Sequence, residues 1–203
     1  MKHEQDRTFV HGKIYRRGYL VDNNIRWNEE LQIHEDVYFN TLALVCTKNV
    51  RHQDTPFYLW RFRPDSICRD DPLWNLKTYP ALVKTNTELV KQFIAREMIE
   101  AAWQIVVFVL MDAYYTFQLP LWHDEENVGY RDAAERAVGL FVHEYGGLFY
   151  QSSVEFRRTT SAGIRDRIVK CGMVMELVSF PDWMGHVAGL GDEEAEKLEK
   201  KEE

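Results

Sequence analysis

Apolar residues recur at helical spacing in three stretches of the chain. In residues 35–45, Val37, Thr41 and Leu44 stand three and four apart, with Tyr38, Leu42 and Val45 beside them. That is the period of one helix face. Glu35 and Asp36 open the stretch, where the positive end of the helix dipole favours acids. Residues 87–117 read as one long helix, with Asn86 or Thr87 as its N-cap and Pro120 as its stop. From Trp103 to Met111 the apolar side chains run all round, which predicts a central, buried helix. The apolar run 101–111 ends at Asp112 and is too short to cross a bilayer, which takes about 20 residues. A third helix is predicted over residues 131–145, closed by Gly146 and Gly147.

Other stretches carry different signals. Phe57-Tyr58-Leu59-Trp60-Arg61-Phe62-Arg63 is aromatic and alternates toward its end, the pattern of a strand stopped by Pro64-Asp65. Asp22-Asn23-Asn24 marks a turn, and residues 123–127 read as a polar loop. Pro181, Gly185, Gly189 and Gly191 are expected to interrupt any long element late in the chain. Residues 193–203 form a charged, solvated tail. Together these patterns predict an α+β chain. Short mixed strands and one acid-bearing helix occupy residues 1–75, a mainly helical region covers 76–190, and the tail spans 191–203.

Composition narrows the function. The 203 residues carry 25 basic and 32 acidic side chains, a net charge of −7. Such a chain is a poor binder of nucleic acid, where affinity rests on cations against phosphates. The short basic stretch Arg157, Arg158, Arg165, Arg167 and Lys170 is diluted by Glu155 and Asp166. The three cysteines, Cys46, Cys68 and Cys171, are widely spaced and form no C-x-x-C pair; reduced thiols in a cytoplasmic protein are expected. Cys46 is expected to be buried in the helix that follows Asp36. The opening residues include no apolar leader stretch. The spacing of His11, His34 and Asp36 matches no standard metal signature.

The densest grouping of polar and aromatic residues lies between His11 and Arg69. A carboxylate at the mouth of a helix can accept a proton from a bound hydroxyl; equally, Glu35 and Asp36 can serve only to cap the helix. Four segments stand in order: Gly12-Lys13-Ile14-Tyr15-Arg16-Arg17-Gly18-Tyr19-Leu20, Asn24-Ile25-Arg26-Trp27, Glu35-Asp36-Val37-Tyr38-Phe39-Asn40 and Asp65-Ser66-Ile67-Cys68-Arg69. This series resembles the C-terminal half of the catalytic domain of family 2 glycosyltransferases, which have the nucleotide-sugar-binding GT-A fold. The resemblance covers about residues 9–71 and implies a partial GT-A-like arrangement.

By that resemblance, Asp36 is the general base that deprotonates an acceptor hydroxyl, and Glu35 helps to position it. His34 belongs with the substrate-binding residues. Lys13, Arg61 and Arg69 stand near a diphosphate or an acidic group of the acceptor, because guanidinium and ammonium groups suit phosphate oxygens. Trp60 and Trp27 offer sugar-stacking faces, with ordinary core packing the alternative for each. The family's nucleotide-binding half, with its D-x-D motif for manganese or magnesium, has no counterpart in the sequence. The resemblance therefore implies a nucleotide-sugar donor, an acceptor glycan or protein, and a divalent metal whose ligands lie outside this chain. It also implies a second chain or a homo-oligomer. The alternative is a non-catalytic interaction or assembly module derived from such an enzyme.

Overall fold

The computed structural model describes residues 10–51, 58, 71, 73–170 and 179–202. The chain divides into two compact units, Met1–Leu89 and Val90–Glu203. Every element among the described residues is helical, and none is a strand. The expected α+β class is thereby corrected to an all-helical one. The strand expected over residues 57–63 falls outside the described residues, apart from Tyr58, which lies in no regular element.

In the first unit, α1 spans Arg17–Asp22 and α2 spans Glu35–Val45. The predicted turn holds: α1 ends at Asp22, and Asn24 takes a left-handed φ of 48°, a conformation that asparagine tolerates. α2 has the predicted limits, and Tyr38, Phe39, Leu42 and Ala43 are buried along it. Cys46 is only half-buried, just past the end of α2, rather than inside the helix.

The next helix, α3 (Trp74–Ala95), starts well before the predicted N-cap. Asp71 sets the start: its Oδ1 accepts from the Leu73 N–H at 2.9 Å, and its Oδ2 accepts from Lys77 Nζ at 2.7 Å. The lysine hydrogen bond holds the Asp71 carboxyl below its usual range. Asn86 and Thr87 do not cap. Asn86 Nδ2 donates to the Leu82 carbonyl at 2.8 Å and Thr87 Oγ1 to that of Val83 at 3.0 Å. Such back-bonding keeps polar residues inside a helix, where sequence rules place them at its end. Leu76, Tyr79, Val83, Asn86, Val90 and Phe93 form the buried stripe of α3. The expected continuation to residue 117 is broken at Glu97, whose φ of 58° is left-handed.

The second unit is built on α4 (Ile99–Thr116), with ten buried residues including Ala102, Val106, Val107, Leu110 and Ala113. This is the predicted central helix. No helix among the described residues is long and apolar enough to cross a membrane. Pro120 opens a short helix, α5 (Pro120–His123), and a 3-10 turn follows at Glu125–Asn127. These turns replace the expected polar loop. α6 spans Val128–Gln151, α7 Val154–Lys170 and α8 Phe180–Glu202. α4 packs on α6 and α7, and α6 packs on α8.

The expected helix breaks do not occur, and Gly185, Gly189 and Gly191 all lie inside α8. Gly146 and Gly147 lie inside α6 because the apolar stripe Val138, Phe141, Val142, Tyr145 and Phe149 runs through them and is buried. Pro181 sits in the first turn of α8, where its missing N–H costs no hydrogen bond. Aromatic rings close the unit: Tyr114 meets Phe180 and Trp183 edge-on at 5.1 and 5.5 Å, and Phe149 stacks on Phe180 at 5.3 Å. Tyr115 Oη and Ser161 Oγ, 2.6 Å apart, join α4 to α7.

Gly139 on α6 and Gly191 on α8 meet backbone to backbone. A Cβ on Gly139 would lie 2.7 Å from both the Gly191 nitrogen and the Val187 oxygen. His143 Nδ1 and Asp192 Oδ1 are 2.7 Å apart beside this crossing, and His186 Nε2 stands 3.9 Å from Glu135 Oε2. His143 is thus an exposed group with a cross-helix partner.

Candidate functional site

Three of the four sequence segments meet on α2. Tyr15, from the first, donates its hydroxyl to Asn40 Oδ1 and sets its ring edge-on against Phe39 at 5.2 Å. Tyr19 Oη donates to the Ala43 carbonyl at 2.7 Å. From the second segment, Trp27 stacks on Phe39 with centroids 4.4 Å apart and planes 8° from parallel. Ile25 is buried, and its N–H donates to the Leu20 carbonyl at 2.8 Å. The resulting nucleus is mixed. Asn40 is fully buried, so the tyrosine hydroxyl satisfies a polar group that burial alone would make costly. Burial pushes the Tyr15 phenol up to about 12, which keeps it a neutral donor.

The acids sit at the mouth of this helix. Asp36 Oδ1 accepts from the Val37 N–H at 2.8 Å. Burial raises the Asp36 carboxyl above its usual range, the backbone bond from Val37 opposes that, and the neighbouring Glu35 charge adds to it. A carboxylate has about four lone-pair sites, so its backbone contacts leave capacity for another donor. Glu35 stands beside it in the first turn.

His34 occupies the N-cap position with φ 62° and ψ 17°, and its side chain does not cap the helix. Its Nε2 is buried and has no hydrogen-bond partner among the described residues. Burial lowers the imidazole pKa, while the charges of Asp36 and Glu35 pull it back up. A left-handed non-glycine residue costs roughly 1–2 kcal/mol, and an unsatisfied buried nitrogen about another 1 kcal/mol. Relief of both outweighs the loss of a half-buried ring. His34→Gly is therefore expected to stabilise the protein by up to about 1 kcal/mol in urea denaturation. A loss of stability would mean that the ring's packing dominates.

Lys13 lies apart from the acids. It lines an open groove of about 910 Å³ formed by residues 12–23 and by residues 43–51 from the end of α2 onward. Asp36, Glu35 and His34 are not among the groove's lining residues. Trp60, Arg61 and Arg69 lie outside the described residues. The tyrosine tethers to Asn40 and Ala43 and the groove itself escaped the sequence reading. The only signal for the tethers is the spacing of Tyr15 and Tyr19 in one arginine-rich segment.

Among the described residues, no three His, Cys, Asp or Glu side chains gather as a metal site. The resemblance places the ligands of its divalent metal outside this chain, and no step is routed through that metal. Comparison of the chain with protein-family models, with curated protein sequences and with solved structures finds no match.

Proposed function

We propose that the chain supplies the acceptor side of a glycosyl transfer, with Asp36 as general base. The observation that supports this reading is the convergence on α2. Tyr15 and Trp27 pack on Asn40 and Phe39, one turn from a half-buried carboxyl raised above its usual range. A raised carboxyl is a stronger base once ionised. In the proposed step, Asp36 takes the proton of the acceptor hydroxyl, whose oxygen attacks the donor's anomeric carbon. The bond from that carbon to the diphosphate breaks, and the diphosphate leaves from the opposite face, inverting the centre. The donor, with the metal that steadies its diphosphate, belongs to a second chain.

A transfer assay with this chain reconstituted with the chain that holds the donor, uridine or guanosine diphosphate sugars and manganese tests the assignment. Asp36→Asn should lose activity, and full retention overturns it. The pH profile adds a second check. Because the base must be ionised, the acid limb of kcat/KM should lie above the ordinary carboxylate range, in the direction burial moves Asp36. An acid limb at or below that range counts against Asp36.

A second reading, a docking or self-associating module, draws on the helical unit. Tyr150 near the end of α6 and Val154 at the start of α7 are 67% and 71% exposed, and exposed apolar surface often marks interfaces. Light scattering on the eluted protein separates the readings, since a clean monomer argues against self-association.

A further inference from the structure

Beside α2, the groove collects positive charge in a chain whose net charge is −7. Lys13, Arg16 and Arg51 line it, against one acid, Asp22, among its described lining residues. Arg16 and Arg51 are exposed. Apolar surface lies between the cations: Ile14 is 83% exposed and Val50 46%. Cations spaced over an open, partly apolar floor complement an anionic ligand of some length better than a compact ion.

The place of the groove on α2 adds a distance. Ala43, which lines it, is seven residues from Asp36. Seven residues make nearly two helical turns, so the two positions share a face about 10 Å apart along the axis. Asn40 lies between them and holds Tyr15, itself a lining residue. Asn40 and Ala43 are themselves buried beneath Tyr15 and Tyr19, so a ligand reaching from the groove to the mouth of α2 passes over Tyr15, a span for an oligosaccharide and not for a single sugar.

We propose that the groove binds an acidic glycan: an oligosaccharide whose carboxylate lies against Arg16 and Arg51 while a neighbouring sugar reaches the mouth of α2. This deepens the glycosyl-transfer reading and rests on it for the role of the reaching sugar. The charge contact itself is independent of catalysis. Guanidinium groups hold carboxylates in paired, directional hydrogen bonds. The contact should weaken with added salt, as exposed charge pairs do.

Titration calorimetry on the full chain tests it with a uronate-containing tetrasaccharide, its methyl ester and inorganic phosphate. The acid should bind, and the ester should bind about tenfold or more weakly, the size expected for losing a charge-assisted hydrogen bond. The double variant Arg16→Gln/Arg51→Gln should weaken the acid by a similar factor and leave the melting temperature unchanged. Phosphate alone should bind far more weakly than the tetrasaccharide. Equal binding of acid and ester, binding unaffected by the double variant, phosphate matching the glycan, or no binding of the acid each overturns the proposal. Loss of transfer in Asp36→Asn with no binding of the acid would sink the groove and keep the base; the reverse outcome would sink the base and keep the groove.

Discussion

Replacing Gly191 by valine is expected to destabilise the Val90–Glu203 unit by about 3 kcal/mol or more, beyond the usual upper end for overpacking. Alanine at the same position should cost about 1–2 kcal/mol. A Cβ on Gly191 would fall on the Gly139 carbonyl and lie 3.1 Å from the Gly139 Cα. These are backbone atoms of a neighbouring helix, so no rotamer change relieves the clash, and α6 and α8 must part. Helix propensity works the other way, favouring alanine over glycine by about 1 kcal/mol. The steric cost exceeds that gain. Gly189→Ala is the internal control. It lies on the same helix with nothing within 4 Å of its would-be Cβ, so only propensity acts, and a gain of about 0.5–1 kcal/mol is expected. Opposite signs two residues apart in urea melts would establish the crossing. A stabilising Gly191→Ala would show that the helices separate freely.

Asp36→Asn should lower transfer by a factor of about 10² to 10⁴, the range typical of general-base removal. The fold should survive, because asparagine keeps an Oδ1 that can accept from the Val37 N–H, as Asp36 does. The same variant should be more stable than the parent at neutral pH. Burial raises the Asp36 carboxyl in the folded state, so the native protein holds this proton over a range where the unfolded chain has released it. Its contribution to stability is present at low pH and falls as pH climbs from the ordinary carboxylate range through the raised folded value. Asparagine removes that fall. Paired measurements of turnover and of stability against pH therefore bear on two separate properties of one side chain. Lost activity with a flat stability difference between variant and parent would refute the burial argument alone.

Local periodicity made α2 and α4 legible. In α2 the apolar spacing and the two opening acids agree. In α4 the apolar surface is so complete that a central position follows. The start of α3 was not legible, because Asn86 and Thr87 carry the residue types of a cap while their side chains bond to carbonyls one turn back. The glycines of α6 and α8 misled for a related reason: tertiary packing decides whether glycine ends a helix or permits a close approach, and Gly139 and Gly191 do the second. In the candidate site, the sequence marked Asp36, Glu35 and Lys13 as one group. The structure sets the acids at the mouth of α2 and Lys13 in a groove further along. That separation depends on Tyr15 and Tyr19 pinning their segment to α2, a contact across about 25 residues that no local pattern encodes. The α+β expectation fails because the described elements of the first unit are helices joined by turns.

The ring cluster around Tyr114 has an optical consequence. Trp122 and Trp183 are buried in the second unit among Phe117, Tyr114 and Phe180. In the first unit, Trp27 keeps nearly half of its surface in water. A soluble quencher such as acrylamide would reach Trp27 well before Trp122 and Trp183, with the half-buried Trp74 and Trp103 between them. The chain thus carries its own fluorescent reporters for following the loosening of either unit without an added dye.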